Sequence, residues 1–353
     1  MDNLLQFSKY FDEDELATQE EEAGEAEIPA IALSQDKIDS LQQMFAVFFE
    51  GIDISPVDND KQSPFACIRG TMPWLTTYIQ QTFVEEAVLR QSALIVDLCL
   101  RGVGQVYFQD NPLSGLFILI GLFIESPRVA IHGVIGLLVG NITAILFGFT
   151  RGLLGSGLFG YNAILVGLAL ATFAGEWSFA VFLAVVGASA ISSVVFVVMG
   201  KLLVPYQSPP FTLPFKVATL FLLVSSATSN HWSVAVNVPA FPDYTDATST
   251  NLAAGDFFAG TIRGIGQVFL ADAALAGGFV LIGIALCSPI SAVAAYVGSV
   301  LGCLFAWWTG NTDGSISAGL WGYNASLCAV MMLMFFTCPA LDRLCWRYFR
   351  SPQ

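Results

Sequence analysis

The stretch Arg101-Gly102-Val103-Gly104-Gln105-Val106 returns 162 residues later as Arg263-Gly264-Ile265-Gly266-Gln267-Val268. The register holds without a gap through Asp110 and Asp272, Gly115 and Gly277, Gly121 and Gly283, and Ser126-Pro127 and Ser288-Pro289. It reaches Gly157-Leu158-Phe159-Gly160-Tyr161-Asn162, echoed by Gly319-Leu320-Trp321-Gly322-Tyr323-Asn324. An echo this long is an internal duplication. Both copies lie in strongly apolar sequence, where burying a repeated polar side chain is costly. Duplicated halves that share polar groups near the midplane are a common plan of membrane transporters.

Composition points the same way. The 353 residues are 55% hydrophobic and 12% charged, with a mean hydropathy of +0.67. A soluble domain carries about a quarter charged residues, so half that fraction marks an integral membrane protein. The net charge of −14 is localised: residues 1–60 hold 16 acidic and 2 basic residues, and the remainder holds 12 of each. Residues 1–65, with Asp12-Glu13-Asp14-Glu15 and Glu20-Glu21-Glu22, read as a disordered acidic arm. No basic segment followed by an apolar one begins the chain, so the arm is expected on the cytoplasmic side.

Apolar segments follow at 92–108, 113–124, 129–149, 157–173, 178–204 and 215–229, and the series repeats at 256–270, 275–287, 292–308 and 319–336. Asp97 and Arg101 are spaced four apart and can pair on one helix face. The segments 113–124 and 275–287 are short for a span, which predicts broken or re-entrant helices at matching positions around a central pore. Residues 66–229 form the first transmembrane repeat and 256–353 the second. The linker 230–255 has no Lys or Arg and is assigned to the outside face. Five crossings in the first half would bring the second in from the opposite face and invert the repeats. The fold class expected is thus all-α, polytopic and membrane-spanning.

Several motifs dissolve on inspection. Gly155-Ser156-Gly157-Leu158-Phe159-Gly160 matches a dinucleotide pattern but lies in membrane sequence, where glycines serve close helix packing. The sequons at Asn141 and Asn324 sit in apolar segments. His132 and His231 form no metal cluster, and the seven cysteines, without a C-x-x-C pair, read as small core residues. No cofactor, metal, nucleic acid or enzymatic chemistry is indicated.

Gln105 and Gln267 remain. A lone Gln in a membrane helix is commonly interhelical glue, but two at equivalent positions, each preceded by glycines, read as a site. An amide offers one carbonyl acceptor and two N–H donors. That inventory suits a small neutral solute with both kinds of group, where an ion would call for rings of charge or carbonyls.

At this level the residues resemble a known family. Gln105-Val106-Tyr107-Phe108 with Asn111-Pro112-Leu113-Ser114-Gly115 resembles the urea transporter signature, and Gly157 to Asn162 and Pro210-Phe211-Thr212-Leu213-Pro214-Phe215 are similar to two further blocks of it. The resemblance covers residues 90–353. It implies passive, channel-like passage of urea through a pore in each protomer of a homotrimer in the cell membrane. It also implies that Gln105 and Gln267 hydrogen-bond urea at the two mouths and that Val106, Phe108 and Val268 line the slot. Leu165 and Leu327 would narrow the middle, and Thr212 would supply a hydroxyl there.

The second copy departs from the pattern. It has Leu270 for Phe108 and Ala273-Ala274 for Asn111-Pro112, so the kink imposed by Pro112 is expected to be absent from its counterpart. Thr212 plus 162 is position 374, past Gln353, so the second repeat is expected to be incomplete. Arg343, Arg347 and Arg350 read as a cytoplasmic basic cap. Competing expectations are a non-conducting subunit that modulates full-length partners, and a channel for ammonia, water or another small neutral solute.

Overall fold

The computed structural model describes residues 70, 72–82, 87–149, 151–175, 177–203, 206, 208–227 and 252–337. The acidic arm, all but the last residues of the 230–255 linker and the Arg343, Arg347 and Arg350 cap lie outside them.

Helices α1 (Pro73–Thr82) and α2 (Ala87–Gly104) lead into a single 3-10 turn, Gln105–Tyr107. There follow α3 (Pro112–Glu125), α4 (Pro127–Leu146), α5 (Arg151–Gly155), α6 (Gly160–Ala174), α7 (Phe179–Leu203) and α8 (Leu213–Ala227). The second half runs through α9 (Ala254–Gly266), a 3-10 turn at Gln267–Phe269, α10 (Ala274–Cys287) and α11 (Pro289–Trp308). It continues with α12 (Asp313–Ser317), α13 (Gly322–Met331) and a π-helical turn, Met332–Thr337. The described residues contain no strand.

The 162-residue offset survives folding at the level of single residues: the bounds of α10, α11 and α12 are those of α3, α4 and α5 moved by that number. The local causes are repeated as well. Ser126 and Ser288 accept the amides of Val129 and Ser291, with Pro127 and Pro289 opening each helix. At 20 residues each, α4 and α11 reach about 30 Å, the depth of the bilayer core. With the 25-residue α7 they are, among the described residues, the three helices long and apolar enough to cross unaided. Counting each bent pair as one span, α2 with α3 at 78° and α9 with α10 at 73°, brings the number among these residues up to five. This is a polytopic all-α membrane protein with the broken helices expected.

The bends correct one expectation. Pro112 opens α3 and makes no kink within a helix, and its counterpart Ala274 opens α10 after nearly the same bend. The turn is made by the residue after each 3-10 segment. Phe108 and Leu270 sit in the left-handed region at φ 61° and 58°, where side chains are tolerated at some cost. A left-handed residue reverses the chain with or without proline.

The two halves meet about a pseudo-twofold axis. Phe117 lies beside Phe279, ring centroids 6.5 Å apart and tilted by 34°, and Tyr107 beside Phe269 at 6.2 Å. Each pair is one position of the repeat meeting its own copy, as happens at a twofold. The off-axis contacts are exchanged accordingly: Gly121 faces Ala276 and Phe279, and Gly283 faces Ser114 and Ile118. Helices α3 and α10 therefore pack antiparallel through small residues that admit close approach. Around this seam one apolar cluster gathers Val106, Ile118, Leu122 and Leu165 with Val268, Val280 and Ile284.

Candidate functional site

Gln105 and Gln267 open the two 3-10 turns, where helices α2 and α9 break. The Gln105 side chain donates Nε2–H to the Ser156 carbonyl at 2.9 Å, and Gln267 donates to the Ala318 carbonyl at 3.0 Å. Ser156 and Ala318 are again equivalent, so the two glutamines are locked in the same way. Because a carbonyl can only accept, the bond fixes which end of each amide is which. One N–H is used, and among the described residues Oε1 and the second N–H have no hydrogen-bond partner.

The accepting carbonyls belong to turns shaped by Gly157 and Gly319, at φ +73° and +77°. A Cβ at Gly157 would lie 2.8 Å from the Gly102 Cα, and one at Gly319 would lie 2.7 Å from the Arg263 carbonyl carbon. Glycine is needed there twice over, for its positive φ and for the close approach. The glycine pattern read as helix packing does that work.

The apolar candidates converge. Val106, Leu165 and Val268 are buried in the central cluster, and Phe108 and Leu327 pack against it. Thr212, half-buried, stands in the turn before α8, beside Phe211, whose ring meets Phe108 edge-on at 5.9 Å. That turn is pinned by α6: Tyr161 Oη and Asn162 Nδ2 both donate to the Phe211 carbonyl, and Asn162 Oδ1 accepts the Phe215 amide at 3.1 Å. All eight residues thus fall on the two glutamine turns, α6, α13 and the segment before α8.

Three groups escaped the sequence reading. Tyr107 buries its hydroxyl between the Ile265 carbonyl (3.0 Å) and Ser326 Oγ (3.1 Å), tying the first glutamine turn to the second repeat. The Tyr161 and Asn162 contacts were not anticipated, although their Gly-Tyr-Asn motif was visible. Asp97 and Arg101 pair at 3.0 Å as their spacing suggested, but Arg101 also reaches Asp110 Oδ1 at 2.8 Å and Thr76 Oγ1 at 3.2 Å. Their sequence separations give no local signal. Of the cysteines described, Cys287 and Cys303 are buried as expected, Cys99 is partly buried, and Cys328 is exposed.

Fold and site together define a membrane protein of two twofold-related repeats, each presenting a fixed amide beside a shared apolar lining. Residues 96–350 match the family model described as "Urea transporter", and the chain belongs to that family. It is 33% identical over 242 residues to "Urea transporter 1" of Ovis aries and equally to that of Capra hircus, covering 68% of this chain and 63% of each relative. It is 32% identical over 237 residues to "Urea transporter 1" of Mus musculus, covering 67% of this chain and 62% of the relative. The match thus spans a little over three-fifths of the length of these relatives.

Proposed function

We propose that this protein passes urea across the cell membrane passively, through a pore within each protomer, without cofactor or ion coupling. The observation that carries the reading is the matched pair of glutamines, each held by one N–H on an equivalent carbonyl and each with Oε1 meeting no donor among the described residues. A planar diamide presents N–H groups to such acceptors. Stripping it of water without replacement costs roughly 2–7 kcal/mol per amide. Hydrogen bonds from Gln105, Gln267 and Thr212 would offset much of that. Val106, Phe108, Leu165, Val268 and Leu327 suit the flat faces of the solute and give a hydrated ion nothing in exchange for its shell.

The antiparallel pairing of α3 with α10 supports repeats inverted across the bilayer, since the twofold that relates antiparallel helices runs perpendicular to them and reverses the direction of each repeat. Residues 66–229 and 256–353 would then be the repeats, with the amino terminus in the cytoplasm and the lipid bilayer around a homotrimer. The family resemblance supports the trimer.

Urea efflux from proteoliposomes, followed by light scattering, tests the site. The wild-type chain should raise urea permeability well above that of protein-free vesicles. Gln105→Ala and Gln267→Ala should each lose most of it, with unchanged elution on size exclusion. Undiminished flux in both variants would refute the assignment. Permeation of ammonia or water with no urea flux would move the protein to another solute, and no flux of any kind would favour a non-conducting subunit.

A further inference from the structure

The loops after the two glutamine turns, residues 108–111 and 270–273, share a backbone path but not the side chains that would hold it. In the first, Asn111 Oδ1 accepts the Ser114 amide at 3.1 Å and caps α3, with Pro112 next to it. Arg101 clamps the same loop through the Asp110 carboxylate. In the second, Ala273 provides no cap, and Arg263 turns instead to the Ser317 carbonyl at 2.8 Å. The bend is nevertheless preserved, at 73° against 78°.

What holds the second loop comes from the other repeat. Glu125 is the last residue of α3, and its Oε2 accepts the Ala273 amide at 3.1 Å. Its carboxyl also meets the backbone amide and the carboxyl of Asp272. The carboxyl group stands at the amino terminus of α10, where unsatisfied amides point outward. The position equivalent to Glu125 is Cys287, and it serves the first loop through an intermediary. Gly70 donates its amide to the Cys287 carbonyl at 2.9 Å, and its carbonyl accepts from Asn111 Nδ2. Each loop is therefore braced by the final residue of the opposite repeat's helix, one directly and one through Gly70.

We propose that Glu125 is a positioning residue for the Gln267 turn: its carboxyl group, reaching across from the first repeat, accepts the Ala273 amide and fixes a loop that has no side-chain cap of its own. Leu270, Val268 and Gln267 then keep their place against the shared lining. The transport consequence rests on the urea reading above. The brace itself does not.

Two measurements on the full chain in proteoliposomes separate these. Backbone hydrogen exchange reads the brace, and urea efflux reads its use. Glu125→Ala should speed exchange of the 270–276 amides at least tenfold while leaving 108–114 unchanged, and it should lower urea flux several-fold at unaltered elution volume. Glu125→Gln keeps an acceptor for the Ala273 amide and should match wild type in both. Unchanged exchange in Glu125→Ala, equal loosening of both loops, full flux despite a loosened 270–276 segment, or a Glu125→Gln as loose as Glu125→Ala would each overturn the proposal. Should the wild-type protein carry no urea, the transport reading fails, and the exchange comparison still decides whether Glu125 braces the loop.

Discussion

Arg101→Met should be among the most damaging single changes in the first repeat. Arg101 is fully buried, and its three guanidinium nitrogens are used separately: Nε on Asp97 at 3.0 Å, Nη1 on Asp110 at 2.8 Å, and Nη2 on Thr76 at 3.2 Å and the Met72 carbonyl at 3.3 Å. Methionine keeps much of the apolar stem but takes the guanidinium away from Asp97, only 4% exposed, and from Asp110, 14% exposed. Removing one member of a buried pair costs about 3–5 kcal/mol because the remaining charge is stranded. That lowers the folded-to-unfolded ratio by roughly two to three and a half orders of magnitude. Arg263, at the equivalent position, is only half-buried and has a bond to the Ser317 carbonyl, so Arg263→Met should cost about 1–2 kcal/mol. Arg101→Lys keeps the charge but cannot reach three separated partners, and it should recover less than half of the loss. Adding Asp97→Leu to Arg101→Met removes one stranded carboxylate and should return part of the stability. The assay is thermal unfolding in detergent followed by tryptophan fluorescence. Equal losses for Arg101→Met and Arg263→Met would refute the account, as would a double variant less stable than Arg101→Met alone.

Gly157→Ala and Gly319→Ala should each lower stability by at least about 1–2 kcal/mol from the left-handed conformation alone, and more from contact with the facing backbone. On the proposed urea path both should also reduce flux, because the turns they distort carry the carbonyls that hold Gln105 and Gln267. Unfolding temperature and flux together check this, and an unaffected Gly319→Ala would count against the equivalence of the two turns. Asn162→Ala removes one of two donors to the Phe211 carbonyl and the side-chain acceptor of the Phe215 amide, at about 1–3 kcal/mol if that amide stays buried and unpaired. Asn324 is exposed, so Asn324→Ala should fall within about 0.5 kcal/mol of wild type. Matched losses at the two positions would contradict that asymmetry.

Much of the fold was legible in the chain because its determinants are local or repeated. Apolar runs and the constant offset located the helices α3, α4, α10 and α11 to within a few residues. The i,i+4 spacing gave the Asp97–Arg101 pair. The kink was misassigned because proline is a visible breaker, whereas a left-handed Phe108 or Leu270 carries no composition signal. Tyr107 on the Ile265 carbonyl and Glu125 on the Ala273 amide join residues 158 and 148 apart, and no periodicity reaches across such distances.

By itself the sequence determined that this is a membrane protein, that it is duplicated, and that two glutamines occupy matching places in apolar surroundings. Hydropathy and repetition suffice for that, since each depends on residue type and order alone. Only the tertiary structure decided how the copies meet. The twofold seam at Phe117 and Phe279, the carbonyls that orient both glutamines, and the Glu125 brace all depend on antiparallel packing of one repeat against the other. That packing brings together backbone groups that every residue carries and that no sequence pattern marks.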